Sequence, residues 1–490
     1  MPRVLRYYSG NRKHRLEVQG LFEGRQQSAR GAQAATVPQV KFPIRPQAAG
    51  AQVMNLLSVQ PRALQARFSV ISESQTMIQP VDRGRTTVIP TETVAVIGAK
   101  ADELRWVRRQ FGLEVVQEGS HGKVLLTVAG DADDPVEQAT AAANALFERG
   151  NVEGAHPNFL RLIQRPGPAT GGASAQWGLD NLGNPGVVGA DVAGLAAWTI
   201  TEGDASVRAA VLDEGVDTAH PYLKPGVVAE RDFVDGNPTA QPDGDDAHGT
   251  ACAGIITARG DKVRGLASGA SLVAARIAKG DGGQGWIFDD FNTADAIDWC
   301  WDDAQSDVLS NSWGGGPPVD VITSAFTRAR TQGRGGRGAV VVIAAGNSQM
   351  QVSYPGNLPD VLTVGASNQW DKRKTRTSQD GEDWWGSNFG KGLDLMAPGV
   401  QILTTDISGA RGYDSGLTTP RFNGTSSATP FVAAAAALLL SVRPTLSETE
   451  VRKILTSTAE PIETATSGWN QYRGHGRLHA FTALRAARKW

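Results

Sequence analysis

The chain has 490 residues, of which 40% are apolar, so it can bury a large core and has room for about two to four domains. Its 48 basic and 50 acidic side chains leave a net charge of −2, which gives no reason to expect nucleic acid or an anionic membrane surface as a partner. Two cysteines, Cys252 and Cys300, are too few for a disulfide framework and show no zinc-ligand spacing, a usage typical of a reducing compartment.

Residues 1–87 are predicted to be an N-terminal extension, to which the sequence assigns no role. Residues 1–30 carry seven cations against two acids, which could mark a docking arm for a protein partner; we favour a solvated, partly mobile tail. No apolar region follows the basic start, so we expect no secretory signal and a cytoplasmic protein. The longest apolar run, residues 431–440, is too short to cross a bilayer, so we expect no membrane span.

Residues 88–164 are predicted to form a small α+β domain. Apolar spacing indicates the order strand, helix, strand, strand, helix, strand, at residues 94–97, 104–111, 113–116, 124–128, 135–149 and 159–163. Gly112 ends the first helix at a favoured position, and Asp134 followed by Pro135 begins the second. Residues 165–175 are rich in Pro, Gly, Ser and Ala and are predicted to be a linker.

The rest of the chain, residues 176–488, alternates apolar strands with helical stretches. The predicted strands are residues 207–212, 272–277, 308–312, 339–345, 361–364 and 393–396. Continuous apolar strands separated by helices indicate an α/β fold with a mostly parallel sheet covered on both faces. Reactive side chains are then expected at the carboxyl ends of the strands.

Four segments of this region supply what amide hydrolysis by a serine needs: a carboxylate, a base, a nucleophile and oxyanion donors. Asp213 ends an apolar strand, and His248 opens the run His-Gly-Thr-Ala-Cys-Ala-Gly, where a helix should begin with the imidazole exposed. Ser426 starts an Ala- and Leu-rich helix, whose N–H groups and positive dipole end suit an oxyanion. Asn347 follows a buried strand and presents an amide at the same edge.

Each of these residues also has a plainer interpretation. Asp213 and Asn347 could be turn residues, and Ser426 could be an N-cap, with Ser427 as the rival nucleophile. Cys252, four residues after His248, could be a nucleophile, but we favour a small apolar filler facing the core. The other histidines are interpreted as surface, structural or turn residues: His14, His121, His156, His220, His475 and His479.

The motifs His-Gly-Thr, Ala-Ala-Gly-Asn and Gly-Thr-Ser-Ser-Ala-Thr-Pro occur with the site residues in the order Asp, His, Asn, Ser. On the basis of these motifs and their order, the sequence resembles the subtilisin-like serine proteases, or subtilases, over residues 176–488. The resemblance implies a three-layer subtilisin-like fold and serine endopeptidase activity. It implies that Ser426 attacks, that His248 is the base and then the acid, and that Asp213 orients the imidazole. The Asn347 amide and the Ser426 N–H would bind the oxyanion.

The resemblance also implies where an extended polypeptide substrate would bind. Two edge segments would pair with it, and small residues would line the pocket before the scissile bond. The edge residues are Gly283 and Gly285 on one side and Ser312, Trp313 and Gly314 on the other; the pocket residues are Ala344, Ala345, Gly346 and Ser353. Glu214 stands where the family usually has Ser or Thr. As a second carboxylate beside Asp213 it could raise the pKa of a carboxyl of this pair, or its side chain could point to solvent. Ser353 stands where glycine is common.

Residues 88–164 resemble the subtilase propeptide, a ferredoxin-like inhibitor and folding aid; an unrelated α/β module is the alternative. We therefore expect a zymogen that its own N-terminal domain inhibits and that is cut within residues 163–176.

Structural calcium is common in the family, but no motif maps a site here, and no metal or cofactor is assigned. A partner-triggered maturation or signalling protease stays open. A pseudoprotease scaffold is disfavoured because all four site residues are retained.

Overall fold

The computed structural model describes residues 4–9, 12–22, 75–79, 86–129, 132, 134–164, 175–281, 285–463 and 468–490. The predicted linker therefore lies outside the described residues except for Ala175. The chain divides into two compact units. The first comprises Met1–Arg165, Gly280–Ala294 and Gly316–Ile322, and the second comprises Pro166–Lys279, Asp295–Gly315 and Thr323–Trp490.

Strands and helices are numbered in chain order. The strands are β1 (Val4–Ser9), β2 (Arg12–Phe22), β3 (Gln75–Gln79), β4 (Thr86–Ile97), β5 (Leu113–Glu118), β6 (Lys123–Val128), β7 (Gly154–Gln164), β8 (Arg208–Asp213), β9 (Val227–Asp232), β10 (Ser271–Arg276), β11 (Ala278–Gly280), β12 (Gly285–Asp289), β13 (Val308–Asn311), β14 (Val340–Ala344), β15 (Leu362–Ser367), β16 (Leu395–Pro398), β17 (Ile402–Gly409) and β18 (Gly416–Phe422). The helices are α1 (Ala101–Phe111), α2 (Pro135–Glu148), α3 (Gly194–Trp198), α4 (His248–Thr257), α5 (Asp290–Trp301), α6 (Asp320–Gly336), α7 (Thr425–Val442), α8 (Glu448–Ser457) and α9 (Ala480–Ala487).

The first unit is built on an antiparallel sheet. Between β4 and β7 the elements follow in the order strand, helix, strand, strand, helix, strand, and β4 pairs with both β6 and β7. Gly112 ends α1 in the left-handed conformation (φ 59°), and the Asp134 side chain accepts the Glu137 N–H at the start of α2, as the sequence predicts. The extent of residues 88–164 as an independent domain stays a prediction.

Part of the N-terminal extension belongs to this sheet. β1, β2, β3 and β4 pair in sequence, antiparallel throughout. Tyr7 and Ser9 of β1 are buried, and the Tyr7 ring packs edge-on against Phe159 with 5.2 Å between centroids. The Tyr7 hydroxyl donates to the Pro318 carbonyl at 3.2 Å. The expectation of a solvated tail is therefore wrong for Tyr7 and Ser9, which are buried against residues far along the chain.

The second unit has a parallel sheet in the order β16-β15-β14-β13-β8-β10-β9. Its members include all six strands predicted from residues 176–488; the edge strand β9 was not predicted. Successive residues of β8, such as Ala210 and Val211, point to opposite faces, and both are buried. Both faces of the sheet are thus covered, which confirms the three-layer α/β fold and its subtilisin-like class.

Helix α7 lies in the centre of the second unit's core. Its 18 residues are apolar enough to span a membrane by length and composition, with a mean hydropathy of 1.6. However, 89% of the helix is buried inside the structure, and Val432 and Leu439 pack in the same apolar cluster as strand residues of the sheet. We therefore interpret α7 as a core helix, as the sequence predicts.

Candidate active site

The second unit brings the predicted reactive residues to one edge of its parallel sheet. Asp213 is the last residue of β8, and Asn347 follows β14 after two intervening residues. His248 is the first residue of α4, and Ser426 is the second residue of α7. Because β8 and β14 both neighbour β13 and run parallel, their carboxyl ends meet at the same edge.

Asp213 and His248 form a buried hydrogen-bonded pair. The His248 Nδ1 atom lies 2.9 Å from Asp213 Oδ1 and 3.0 Å from Oδ2. The imidazole also packs edge-on against Phe422, with 5.2 Å between ring centroids. The prediction of an exposed imidazole is wrong, since the His248 side chain is 0% exposed. The contact with Asp213 fixes the ring so that Nε2 is the nitrogen on the side away from the carboxylate.

Ser426 is held at the N-terminus of α7, but it is not the N-cap. The N-cap is Gly424, with φ 113°, and Thr425 is the first helical residue. The Ser426 hydroxyl donates to the Ser312 carbonyl at 3.3 Å, and the Ser312 hydroxyl donates back to the Ser426 carbonyl at 2.9 Å. Ser427 instead donates to the Gly424 carbonyl at 2.9 Å. Its hydroxyl is thus engaged by the helix cap, which argues against Ser427 as the nucleophile.

Asn347 presents its amide with a defined orientation. Its Oδ1 atom accepts hydrogen bonds from the Thr425 backbone N–H at 2.8 Å and from the Thr425 hydroxyl at 3.0 Å. A backbone N–H can only donate, so the atom that faces it must be the amide oxygen. The NH₂ group is therefore the end of the Asn347 side chain that remains as a donor beside Ser426.

The Cys252 side chain lies close to both His248 and Ser426. Its Sγ atom is 3.8 Å from His248 Nδ1 and donates to the Ser426 carbonyl at 3.5 Å. Burial, reinforced by the negative charges of Asp213 and Glu214, raises the pKa of the Cys252 thiol well above its usual range. A thiol that stays protonated is a poor nucleophile, which supports the interpretation as a core filler.

Three potential metal ligands also meet at this point. Within the described ranges, Asp213, His248 and Cys252 are the one group of three or more His, Cys, Asp or Glu residues whose ligand atoms lie together, all within 4.8 Å of one another. The same atoms make the hydrogen bond between Asp213 and His248, and the thiol is held protonated. We therefore interpret the group as part of the hydrolytic site.

Glu214 is buried rather than directed to solvent, so that alternative from the sequence is wrong. Its side chain is 1% exposed, and its Oε1 atom accepts the backbone N–H of His248 at 2.7 Å. Sequence reasoning missed this contact. The available signal was Ala247, whose methyl side chain cannot cap the helix that begins at His248.

The segment after β13, which the resemblance assigns to substrate binding, lies beside Ser426. Ser312 is bonded to Ser426 in both directions. The Trp313 indole is buried and stacks on Phe326 with 6.0 Å between centroids, so its side chain anchors the segment. At Gly314 a Cβ atom would stand 3.1 Å from the Tyr354 carbonyl oxygen, which explains the absence of a side chain there.

The predicted pocket residues divide between the site and the core. Ala345 is 0% exposed in an apolar cluster with Val352 and Met396, so the expectation that it lines the pocket is wrong for its side chain. Ala344 is the last residue of β14, and Gly346 has no side chain and departs from the extended conformation with φ 102°. A Cβ atom on Gly346 would stand 3.8 Å from the Ser353 hydroxyl, which places Ser353 beside it.

Asn388 braces this loop and was missed by the sequence reasoning. Its amide nitrogen donates to the Ala345 carbonyl at 2.9 Å, and its oxygen accepts the N–H groups of Ser348 and Met350 at 3.0 and 2.9 Å. No local motif indicates this role of Asn388, since the contact joins segments about 40 residues apart. It holds the loop that carries Asn347.

The other predicted edge segment falls in the first unit. Gly283 lies outside the described residues. Gly285 opens β12, which pairs antiparallel with β7, and Gly285 is opposite Gln164. Its N–H donates to Asp281 Oδ1 at 3.0 Å.

The fold of the second unit is that of the subtilisin-like proteins. The model of the subtilase family, peptidase S8, matches residues 204–476, and the chain belongs to that family.

Several curated proteins are similar to this chain. The calcium-dependent protease of Nostoc sp. is 30% identical over 383 residues, or 70% of this chain and 55% of the relative, so the chain spans about half the length of that protein. Subtilisin E of Bacillus subtilis is 35% identical over 287 residues, covering 57% of this chain and 65% of the relative. Subtilisin of Bacillus pumilus is 33% identical over the same length and is covered to 90%.

Solved structures share the fold. Fervidolysin from Fervidobacterium pennivorans, a keratinolytic enzyme related to subtilisin, matches with a TM-score of 0.61 at 24% identity. The match covers 80% of this chain and 60% of fervidolysin.

Proposed function

We propose that this protein hydrolyses peptide bonds with Ser426 as nucleophile, His248 as general base and then acid, and Asp213 as the group that orients the imidazole. The observation that carries the proposal is the buried contact of His248 Nδ1 with both oxygens of Asp213. This contact directs Nε2 to the reacting side. Asp213 also stabilises the imidazolium that forms when the base takes the serine proton.

The reaction that we propose has the following steps. Ser426 Oγ attacks the scissile carbonyl while its proton passes to His248 Nε2. The carbonyl oxygen becomes an oxyanion and accepts hydrogen bonds from the Asn347 NH₂ and the Ser426 backbone N–H at the N-terminus of α7. The tetrahedral intermediate collapses when His248 gives the proton to the leaving amine. Water then attacks the acyl-enzyme by the same route and regenerates Ser426.

The substrate is proposed to be extended or unfolded polypeptide. The segment that includes Ser312 and Gly314 offers backbone groups beside the nucleophile, and strand addition to such an edge binds a peptide through its main chain. Ala344 and Gly346 are small, which suits a roomy and apolar pocket for the residue before the scissile bond.

Hydrolysis of a denatured protein by the full chain tests this function. The products are mapped by mass spectrometry for the wild type, for Ser426→Ala and for the matched control Ser427→Ala. Cleavage that is abolished in Ser426→Ala and kept in Ser427→Ala supports the assignment. Equal cleavage by Ser426→Ala and the wild type would refute it.

We further propose that the protein is made as a zymogen whose residues 88–164 act as an intramolecular inhibitor. The support comes from the first unit. β7 pairs with β12 through five residue pairs, and β12 begins at Gly285, which the family resemblance assigns to substrate binding. Strand β7, which belongs to the inhibitor-like residues 88–164, is thus hydrogen-bonded along the edge of β12. Strand β12 begins in a segment predicted to bind substrate.

Buried polar contacts accompany this pairing. Arg161 of β7 forms an ion pair with Asp290, in which both side chains are at most 3% exposed, and it also donates to the Pro317 carbonyl at 2.9 Å. The Asn158 amide donates to Asp289 at 2.9 Å. Such contacts suit an inhibitor that must be cut or displaced before the enzyme acts.

N-terminal sequencing of incubated protein tests the zymogen. Wild type should acquire a new N-terminus within residues 163–176, and Ser426→Ala should keep the intact chain. Identical intact chains after long incubation, from a wild type that cleaves added peptide, would exclude self-cleavage as the route of activation.

A further inference from the structure

Glu214 touches both members of the pair formed by Asp213 and His248. Its backbone N–H donates to Asp213 Oδ1 at 2.9 Å, and its side-chain Oε1 accepts the backbone N–H of His248 at 2.7 Å. The Glu214 side chain is 1% exposed, so these contacts are shielded from solvent. A single residue therefore links the end of β8 to the first residue of α4.

The residue that directly precedes helix α4 does not cap the helix with its side chain. The first N–H groups of a helix lack partners within the helix, and a buried helix start needs them from elsewhere. Position 247, the N-cap, is alanine and makes no side-chain cap hydrogen bond. Every residue of α4 is buried, so its first N–H groups lie away from bulk solvent. The Glu214 carboxylate supplies the acceptor at the end of the helix where negative charge is favoured.

The helix start also lies directly on the turn that carries Glu214. A Cβ atom on Gly249 would stand 2.1 Å from the Gly215 carbonyl oxygen and 2.8 Å from the Asp213 Cβ atom. The start of α4 is therefore packed directly against the end of β8. A shift of α4 along this contact would move the His248 imidazole relative to Asp213.

We propose that Glu214 is a positioning residue, whose carboxylate fixes the first turn of α4 and thereby the imidazole of His248. The inference rests on the proposed function, because it assigns Glu214 a part in aligning the general base. Glu214 touches no substrate atom in this scheme. It acts through the backbone of His248, and its carboxylate serves as a hydrogen-bond acceptor.

Two substitutions separate the acceptor from the charge. Glu214→Gln keeps an oxygen acceptor on a side chain of the same size, and Glu214→Ala removes it. Misplacement of a catalytic group by about 1 Å can cost about 100-fold, so Glu214→Ala should lower kcat by about 10- to 100-fold with KM changed less than about twofold. Glu214→Gln should stay within about threefold of wild type in kcat.

The matched control is Thr250→Val. The Thr250 hydroxyl accepts the Asp217 N–H at 2.9 Å, which is another buried hydrogen bond between the first turn of α4 and the segment after β8. This substitution should lower thermal stability and leave kcat within about threefold of wild type. A loss of kcat in Thr250→Val equal to that in Glu214→Ala would mean that any weakening of this contact suffices, and would overturn the specific assignment to Glu214.

A second measurement does not depend on turnover. In the Ser426→Ala chain, NMR hydrogen exchange of the His248 amide should become faster with Glu214→Ala and stay slow with Glu214→Gln. Unchanged kcat and unchanged amide exchange in Glu214→Ala would overturn the proposal, as would an equal loss of kcat in Glu214→Gln and Glu214→Ala. A failure of the proposed function would give a different result. In that case the protein with Glu214 intact would itself show no peptidase activity that depends on Ser426.

Discussion

The Asn347 side chain is oriented by Thr425, whose backbone N–H and hydroxyl both bond to its Oδ1 atom at 2.8 and 3.0 Å. Thr425, the residue before Ser426, thus fixes which end of the Asn347 amide remains as a donor. The two oxyanion donors that we propose, the Asn347 NH₂ and the Ser426 N–H, are thus both positioned by the start of α7.

Replacing Asn347 by Leu should remove one donor at nearly constant side-chain size. We expect kcat to fall by about 100- to 1000-fold, a magnitude known from subtilisin, because the donor acts on charge that develops in the transition state. KM should change little, since the ground-state carbonyl carries less charge. Steady-state kinetics on a peptide substrate measure both constants. A rise in KM at unchanged kcat would assign Asn347 to substrate binding instead.

Cys252 should be dispensable for catalysis. Burial raises the pKa of its thiol well above the usual range, so the thiol is neutral and does not attack. Cys252→Ala should keep kcat within about threefold and lower the melting temperature, because a buried side chain is shortened. Iodoacetamide should leave Cys252 of the folded protein unlabelled. Loss of activity in Cys252→Ala in a chain that melts normally would restore the nucleophile interpretation.

Asp394 should make the second unit's stability depend on pH. Burial raises the pKa of Asp394 to about 6, while the hydrogen bond from the Thr363 N–H and the charge of Arg452 offset part of that effect. A carboxyl whose pKa is higher in the folded chain favours folding when protonated. Its contribution is fully present below about pH 4, the unfolded pKa, and is lost as the pH rises through about 6.

Asp394→Asn removes this dependence and keeps an acceptor for the Thr363 N–H. In the Ser426→Ala background the variant should be more stable than its parent by about 3 kcal/mol at pH 7, and the difference should vanish near pH 4. Denaturant unfolding at both pH values measures it. A stability difference that does not change with pH would show that Asp394 does not titrate in this range.

Arg161→Met tests the inhibitory role proposed for residues 88–164. The change leaves Asp290 buried without its ion-pair partner, which typically costs about 3–5 kcal/mol. The control Arg149→Met breaks an ion pair with Glu103 that lies entirely within residues 88–164. We expect peptidase activity of freshly purified full chain to appear sooner in Arg161→Met than in wild type or Arg149→Met. Equal onset in all three chains would contradict an inhibitory contact at Arg161.

Much of the second unit could be predicted from the sequence because its signals are local. Strands buried on both faces appear as continuous apolar runs. Asp213 ends such a strand, Asn347 follows another, and His248 and Ser426 lie at the starts of helices. The cap by Glu214 could not be predicted, since its partner is 34 residues away and a glutamate beside a turn normally faces solvent. The burial of Tyr7 was equally hidden, because it depends on a carbonyl 311 residues further along the chain.

Side-chain direction explains the remaining errors. The imidazole of His248 was expected to be exposed because it begins a helix, but packing against Phe422 and Asp213 buries it. Ala345 was expected in the pocket with its neighbours, but it packs in an apolar cluster with Val352 and Met396. Both errors come from tertiary packing that no local pattern encodes.

The most direct test of the central claim is to locate the reactive serine chemically. Wild-type full chain is incubated until peptidase activity is constant, treated with a fluorophosphonate probe and digested for mass spectrometry. We predict that the probe is attached to Ser426, that Ser427→Ala is labelled like wild type, and that His248→Ala and Asp213→Ala are labelled far more slowly. Probe attached to a different residue, or peptide hydrolysis that survives in Ser426→Ala, would contradict the account.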